Sequence, residues 1–201
     1  MECKHSTTGI SDECFIRGDV PMTKAEIRIL TLSKLKLREG MNFLDIGCGT
    51  GSITVEAALI CKGGSVDAID INEEAVKLTG KNVKAFGLYN VNIIQGSAPE
   101  FLPSKYYDRI FIGGSRNKIS NLLKYCKEHL NPNGIVVINA ILIDTVYEAL
   151  RGMESFEFKG IECICTNISK SQKTNSGWMM KALNPVYIIS GVNSNSRKEN
   201  D

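Results

Sequence analysis

The sequence predicts an α/β fold: a doubly wound, mostly parallel seven-stranded sheet with an antiparallel hairpin at its C-terminal end. Two observations carry this prediction. Short apolar runs alternate with segments of helical period along most of the 201 residues. A glycine-rich turn, Asp45–Ser52, joins the first apolar run to the helix that follows it. Such strand–turn–helix units build parallel sheets whose connections cover both faces.

The N-terminal residues 1–37 are expected to form a cap and a helix of the same domain. Residues 1–20 are polar and interrupted by glycines, which favours a cap or lid. The four residues from Thr23 to Glu26 match the capping-box pattern, so a helix is expected to begin after Met22 and end near Leu37.

Residues 38–191 contain the alternation of predicted strands and helices. The predicted strands are 41–46, 65–70, 92–94, 108–112, 135–139 and segments near 156–165 and 184–190. The predicted helices are 51–61, 73–86, 119–130 and a last one around 144–152. A polar stretch at 167–176 predicts a loop or hairpin tip, and residues 192–201 predict a disordered tail.

Composition excludes several classes of function. The 24 basic and 22 acidic residues are interspersed, so no basic face indicates nucleic acid. No apolar run is long enough for a membrane span, and the polar N-terminus does not resemble a signal peptide. We therefore expect a cytoplasmic protein without membrane or nucleic-acid partners. Seven irregularly spaced cysteines predict free thiols, and two histidines argue against a bound metal.

The turn with Gly47, Gly49 and Gly51 predicts a site where a ligand lies directly on backbone N–H groups. A dinucleotide fingerprint would space its third glycine one residue further on. Asp70 ends the next strand, where a carboxylate can accept both hydroxyls of a ribose. A ligand with a ribose but no phosphate satisfies both observations, and S-adenosylmethionine is the common one.

Other candidate residues follow the same strand ends. Asp45 either bonds the loop backbone or reaches the amino group of the cofactor. We expect Ile71 to pack on the adenine, with a role in the core as the alternative, and Ala98 to donate its N–H to an adenine nitrogen. Ser97 occupies a position where many methyltransferases carry an acid, and a hydroxyl accepts more weakly than a carboxylate.

The predicted acceptor side is the turn Gly113–Ser115, which includes Gly114 and follows the fourth strand. Methyltransferases that act on exocyclic amines of bases often carry Asn/Asp-Pro-Pro-aromatic there. The absence of this motif disfavours a methyltransferase that acts on the amino group of a base.

Several motifs outside the glycine turn make nearly the whole chain, from about Gly9 to Gly191, resemble one family. These are Gly9–Gly18, Val20–Lys24, Gly113–Ser115, Ala140–Leu142 and Trp178–Val186. The family is that of the decarboxylating cobalt-precorrin-6B methyltransferases of cobalamin biosynthesis. The resemblance implies a Rossmann-like fold, methylation of carbon 15 of a cobalt-precorrin, and loss of carbon dioxide from the ring C acetate.

The resemblance also implies S-adenosylmethionine as cofactor, with Thr23 and Thr50 joining the contacts above. The acceptor carries many carboxylates, so basic side chains near the mouth should orient it. Arg17 is the favoured candidate, with Lys24 and Arg116 as further ones, whereas we expect Lys118 to be a solvated surface cation. No catalytic acid or base is identified. The resemblance implies a homo-oligomer, with a tetramer as the candidate assembly.

Two other classes stay open at this point. An RNA methyltransferase on the same fold would need a basic face or an added RNA-binding domain. A non-catalytic protein that binds S-adenosylmethionine would keep the glycine turn, but it should lose the N-terminal motifs and Gly113–Ser115.

Overall fold

The computed structural model describes residues 8–115 and 118–194 and confirms the predicted fold class. In chain order, the strands of the main sheet are β1 (Asn42–Ile46), β2 (Ser65–Asp70), β3 (Val91–Gln95), β4 (Tyr107–Ile112), β5 (Leu130–Ala140), β6 (Lys159–Thr166) and β9 (Val186–Val192). The helices are α1 (Ala25–Leu35), α2 (Ser52–Ile60), α3 (Glu73–Ala85), α4 (Ile119–His129) and α5 (Ile143–Ser155).

The main sheet has the order β3-β2-β1-β4-β5-β9-β6. Strands β1 to β5 are parallel, and β9 runs antiparallel between β5 and β6. The order reverses at β1 and β4, so the loops after these strands diverge and leave a crevice at their carboxyl ends. The predicted polar tip is a hairpin of its own, β7 (Ser169–Thr174) and β8 (Gly177–Ala182).

Several element boundaries differ from the predicted ones, and two of these differences affect the fold most. Strand β5 begins at Leu130, and the turn Asn131–Gly134 forms an irregularity inside it, because its register against β4 shifts there. The fold also extends past residue 191, because Asn193 is buried and its amide donates to the Leu130 carbonyl at 2.9 Å. Residues 195–201 of the expected tail lie outside the described residues.

Both faces of the sheet are covered. One core lies under α4 and α5 and joins Leu123, Ile112 and Val136. The opposite core lies under α1 and α2 and joins Leu35, Phe43 and Ala57. No helix in the described ranges is long and apolar enough to cross a bilayer.

The N-terminal segment is packed into the domain. Ile10 and Phe15 are buried against Val55 of α2 and Val83 of α3. Phe15 also stacks on Phe86, with ring centroids 5.3 Å apart. From residue 8 onward this segment is therefore a part of the core rather than a loose lid, and residues 1–7 of the predicted cap lie outside the described residues.

A buried arginine holds the segment in place. Arg28 of α1 is fully buried and pairs with Glu56 of α2 at 2.5 Å and with Asp12 at 3.3 Å. Glu56 in turn accepts the backbone N–H groups of Gly9 and Ile10, at 2.7 and 3.0 Å. The charges are thus paired and hydrogen-bonded, which is what burial of ions requires.

The same network replaces the predicted capping box. The N-cap of α1 is Lys24, and no side-chain hydrogen bond of its own caps the helix. Instead, Asp12 accepts the N–H of Ala25 at 3.1 Å from thirteen residues away. A carboxylate at a helix N-terminus satisfies an unpaired donor and complements the helix dipole.

Replacement of Arg28 tests this network. Arg28→Met should leave Glu56 and Asp12 buried without their cation and lower the free energy of unfolding by about 3–5 kcal/mol. Urea denaturation measures the change. Arg151→Met is the matched control, because Arg151 pairs with Glu154 on the exposed surface. A loss below about 1 kcal/mol for Arg28→Met would contradict the proposed dependence.

Candidate active site

A cavity of about 670 Å³ lies at the carboxyl ends of β1 to β5. Its walls come from the strand-end loops, the segment before α1 and the segment before β9. Predicted site residues in the lining are Thr23, Gly47, Gly49, Asp70, Ile71, Ser97, Ala98, Gly113, Gly114 and Ser115. The structure therefore brings ten of the fourteen predicted residues to one cavity.

The glycine turn lies where the β1 and β4 loops meet. The N–H groups of Gly47 and Cys48 both donate to the Ile69 carbonyl, at 2.9 and 3.1 Å. A Cβ at Gly47 would lie 2.8 Å from the backbone nitrogen of Gly114, and Gly47 has φ of +80°. A side chain at this position is therefore excluded twice, by the neighbouring loop and by the backbone conformation.

Asp70 connects the glycine turn to the end of β2. Its Oδ2 accepts the N–H of Gly49 at 3.0 Å, and its Oδ1 accepts the N–H of Asn72 at 2.9 Å. The carboxylate thus has a fixed orientation at the cavity wall. A carboxylate oxygen can accept a second donor, so a ribose contact stays a prediction that this geometry supports.

Three predicted contacts lie outside the cavity lining. Asp45 is fully buried beneath the turn and accepts the Thr54 hydroxyl at 2.5 Å. Thr50 is also buried. A Cβ at Gly51 would meet the side chain of Thr79 at 2.9 Å, so this glycine serves the packing of α2 against α3. Asp45 therefore has a structural role, as in the first alternative, but its partner is Thr54 of α2 rather than the loop backbone.

Burial sets the protonation of Asp45. Loss of solvation, together with the nearby charge of Asp70, raises the pKa of this carboxyl from its ordinary 3.8 to about 7. Its Oδ1 has no hydrogen-bond partner among the described residues. A protonated carboxyl is neutral, which removes much of the desolvation cost.

Ser97 lies within a small polar network. Its hydroxyl donates to Glu100 at 3.0 Å and accepts from the ammonium of Lys118 at 3.1 Å. Lys118 also pairs with Glu100 at 2.8 Å, and this hydrogen bond lowers the pKa of Glu100 to about 2. A carboxylate thus lies beside Ser97, three residues after the position where many methyltransferases carry one.

The acceptor side of the cavity includes residues to which the sequence analysis gave no role. They come from the end of β5, from α5, and from the segments that flank the β7–β8 hairpin: Asn139, Ala140, Ile141, Leu142, Thr145, Ile168, Leu183, Asn184 and Val186. Two of the motifs behind the family resemblance, Ala140–Leu142 and Trp178–Val186, contain six of these nine residues. Asn139 has a fixed orientation, because its amide donates to Thr31 of α1 at 2.9 Å.

Two of the candidate cations line the cavity, namely Lys24 and Lys118. The position of Lys118 argues against the expectation of a solvated surface cation. Arg17 is outside the lining and contacts Asp12, with its NH2 4.0 Å from the carboxylate. Its predicted contact with the acceptor therefore has no support from the geometry. Arg116 lies outside the described residues.

The cavity lacks an activated thiol. Burial raises the pKa of the Cys48 thiol far above its ordinary value, so this side chain is a neutral thiol and a poor nucleophile. In the described part of the chain, no group of three or more acidic, histidine or cysteine side chains is arranged to hold a metal.

The expectation of seven free thiols is wrong for Cys14, which is disulfide-bonded.

Comparison with known proteins identifies similar chains. Residues 13–189 match the family model described as precorrin methyltransferase domain. A protein of Saccharolobus solfataricus named "Probable cobalt-precorrin-6B C(15)-methyltransferase (decarboxylating)" is 46% identical over 95% of this chain and 98% of its own. A precorrin-6y C5,15-methyltransferase structure from Geobacter metallireducens has a TM-score of 0.85 at 33% identity, over 92% of this chain and 96% of that one. A precorrin 8W decarboxylase from Methanobacterium thermoautotrophicum also has a TM-score of 0.85 at 33% identity, over 90% and 98%.

The raised pKa of Asp45 predicts that the stability of the protein depends on pH. The pKa of Asp45 is raised in the folded protein, so the unfolded chain releases this proton at a lower pH than the folded protein does. The wild-type protein therefore loses stability as the pH rises from about 4 to about 7. Asp45→Asn removes this loss and keeps an acceptor for Thr54. Relative to the wild type, its free energy of unfolding should rise by on the order of 3–4 kcal/mol across that interval.

Urea denaturation at several pH values measures this difference. Glu39→Gln serves as the control, because Glu39 is an exposed carboxylate outside the cavity. Parallel stability curves for Asp45→Asn and the wild type would show that Asp45 is ionised in the folded protein, against the prediction.

Proposed function

The chain belongs to the precorrin methyltransferase family, and from this premise we propose that it methylates carbon 15 of cobalt-precorrin-6B with decarboxylation of the ring C acetate. The methyl donor in this proposal is S-adenosylmethionine. The single observation that carries the proposal is the shared cavity, because the glycine turn and the Gly113–Ser115 turn line the same space.

The residues of the cavity fit the proposed cofactor. Gly47 offers backbone where a side chain would collide with Gly114, and Asp70 holds two carboxylate oxygens at the rim. Ile71 offers an apolar surface for a base. Ser97, with Glu100 behind it, offers an acceptor for an amino group. When bound, the cofactor would supply a methyl group already activated on a sulfonium.

The chain itself would act mainly by positioning. The proposed nucleophile is a ring carbon of the acceptor, made electron-rich by conjugation, so no side-chain nucleophile is required. Loss of carbon dioxide leaves an electron pair that the conjugated ring accommodates. Holding both molecules in one geometry can by itself provide a large part of the rate acceleration. This role agrees with a cavity that contains a neutral Cys48.

Lys24 and Lys118 would orient the acceptor. Both residues line the cavity, and charge-assisted hydrogen bonds to carboxylates are stronger than neutral ones. The apolar side chains of Ile27, Leu122 and Val186 also line the cavity and would exclude water from the reacting edge.

We also propose that the protein acts as a cytoplasmic homo-oligomer, with a tetramer as the candidate assembly. The family resemblance supports this proposal. The exposed side chains of Trp178, Met179 and Met180 on the β7–β8 hairpin offer an apolar surface that would suit self-association.

An activity assay tests the proposed reaction. Incubation with labelled S-adenosylmethionine and cobalt-precorrin-6B should transfer one methyl group and release one carbon dioxide per acceptor. Product mass and trapped gas measure the two events. Bulk RNA is the parallel acceptor for the alternative function. Methylation of RNA alone would replace our proposal with an RNA methyltransferase.

Asp70→Ala tests the cofactor site by binding rather than by turnover. The change removes the predicted ribose acceptor and releases the N–H of Gly49, so the Kd for S-adenosylhomocysteine should rise by about thirtyfold or more, or about 2 kcal/mol. Isothermal titration calorimetry gives the value. Glu73→Ala is the matched control, because Glu73 is exposed three residues away and pairs with Lys77. Equal affinities for Asp70→Ala and the wild type would refute the ribose assignment.

A further inference from the structure

An exposed apolar surface adjoins the mouth of the cavity. Ile141, Leu142, Ile143 and Tyr147 form this surface, and each is 57–65% exposed. We call these four residues the apolar shelf. Ile143 and Tyr147 are one turn apart on α5 and therefore share a helix face. Side chains this large and this exposed, gathered in one place, indicate a binding surface.

The shelf is continuous with the cavity. Ile141 and Leu142 belong to both, because they line the cavity while remaining more than half exposed. A second groove of about 550 Å³ lies beyond Tyr147, between α4 and α5. Lys118 lines the cavity and this groove, so the two spaces meet at its side chain.

The proposed reaction requires more room than the cavity provides. A pocket for a single drug-sized molecule measures about 300–1,000 Å³, and this cavity measures about 670 Å³. The proposed cofactor fills much of that volume. A tetrapyrrole macrocycle is larger than the cofactor, so its reacting edge can enter while most of the ring stays outside.

We propose that the apolar shelf binds the part of the corrinoid macrocycle that stays outside the cavity. This inference rests on the proposed function. The face of the ring would lie on Leu142 and Tyr147, while its peripheral carboxylates would point toward the solvent at the rim. Burial of an apolar face against the shelf would then hold the reacting edge at Gly113–Ser115.

The charges around the shelf are mixed. Lys118 lies on one side, and Arg151 lines the groove on the other. Both cations have acidic neighbours: Lys118 pairs with Glu100, and Arg151 pairs with Glu154 at 3.2 Å. Glu148 also lines the groove. The apolar contact therefore supplies the affinity in this proposal, and the cations orient the ring.

The double variant Leu142→Ser/Tyr147→Ser tests the shelf. The probe is cobyrinic acid, a stable polycarboxylate corrinoid, and equilibrium dialysis in the presence of S-adenosylhomocysteine follows its visible absorbance. The Kd should rise by about tenfold or more, or about 1.4 kcal/mol. The Kd for S-adenosylhomocysteine, measured by calorimetry, should stay unchanged, which also shows that the variant is folded.

Tyr89→Ser is the matched control, because Tyr89 is 98% exposed and lines neither the cavity nor the groove. Unchanged corrinoid affinity in the double variant would overturn the proposal. A change in molecular mass by light scattering together with unchanged corrinoid affinity would assign the shelf to contacts between copies of the chain. Failure of the proposed function has a different signature, namely wild-type protein that binds the corrinoid but does not methylate cobalt-precorrin-6B.

Discussion

The buried ion network around Arg28 is the constraint on which the cavity depends. Arg28 joins α1 to α2 through Glu56 and to the N-terminal segment through Asp12. Its NH1 also donates to the Thr23 carbonyl at 2.6 Å, directly beside the cavity wall. An unpaired buried charge costs several kcal/mol, so these partners must stay together. The wall from Val20 to Lys24 is therefore held by Arg28, Glu56 and Asp12, which lie outside the cavity lining.

The glycine turn has two separate structural tasks. Gly47 allows the β1 and β4 loops to touch, which brings the donor and acceptor halves of the cavity together. Gly51 allows α2 to pack on Thr79 of α3. The absence of side chains in the turn therefore serves the packing of the fold as well as access for a ligand. Two of the three glycines that suggest a binding site, Gly47 and Gly51, therefore also serve the packing of the fold.

The carboxylates near the turn have divided roles. Asp70 lines the cavity and holds the Gly49 N–H, whereas Asp45 is buried below with a pKa near 7. The two residues are close enough for Asp70 to raise the pKa of Asp45. Burial of Asp45 beneath the turn leaves Asp70 as the carboxylate of this pair that lines the cavity.

Elements whose signal lies within a short stretch of chain were predictable. The alternation of β-branched runs and helical periods gave the strands and helices of the doubly wound sheet to within a few residues at most boundaries, because burial of one face imposes that period. Asp70 and the glycine turn belong to one such unit. Contacts between distant residues were not predictable in this way. Asp12 caps α1 in place of Thr23, and Asn139 is held by Thr31, from 108 residues away.

The sequence by itself therefore determined the fold class, the glycine turn with Asp70, and the family. Only the tertiary structure decided which side chains share the cavity. It left Asp45 buried, directed Arg17 to Asp12, and brought Lys118 beside Ser97. The physical reason is that local periodicity fixes each element, whereas strand order and helix packing fix the distances between elements. A strand-end residue can be recognised in the sequence, but its neighbours depend on which other strands lie beside it.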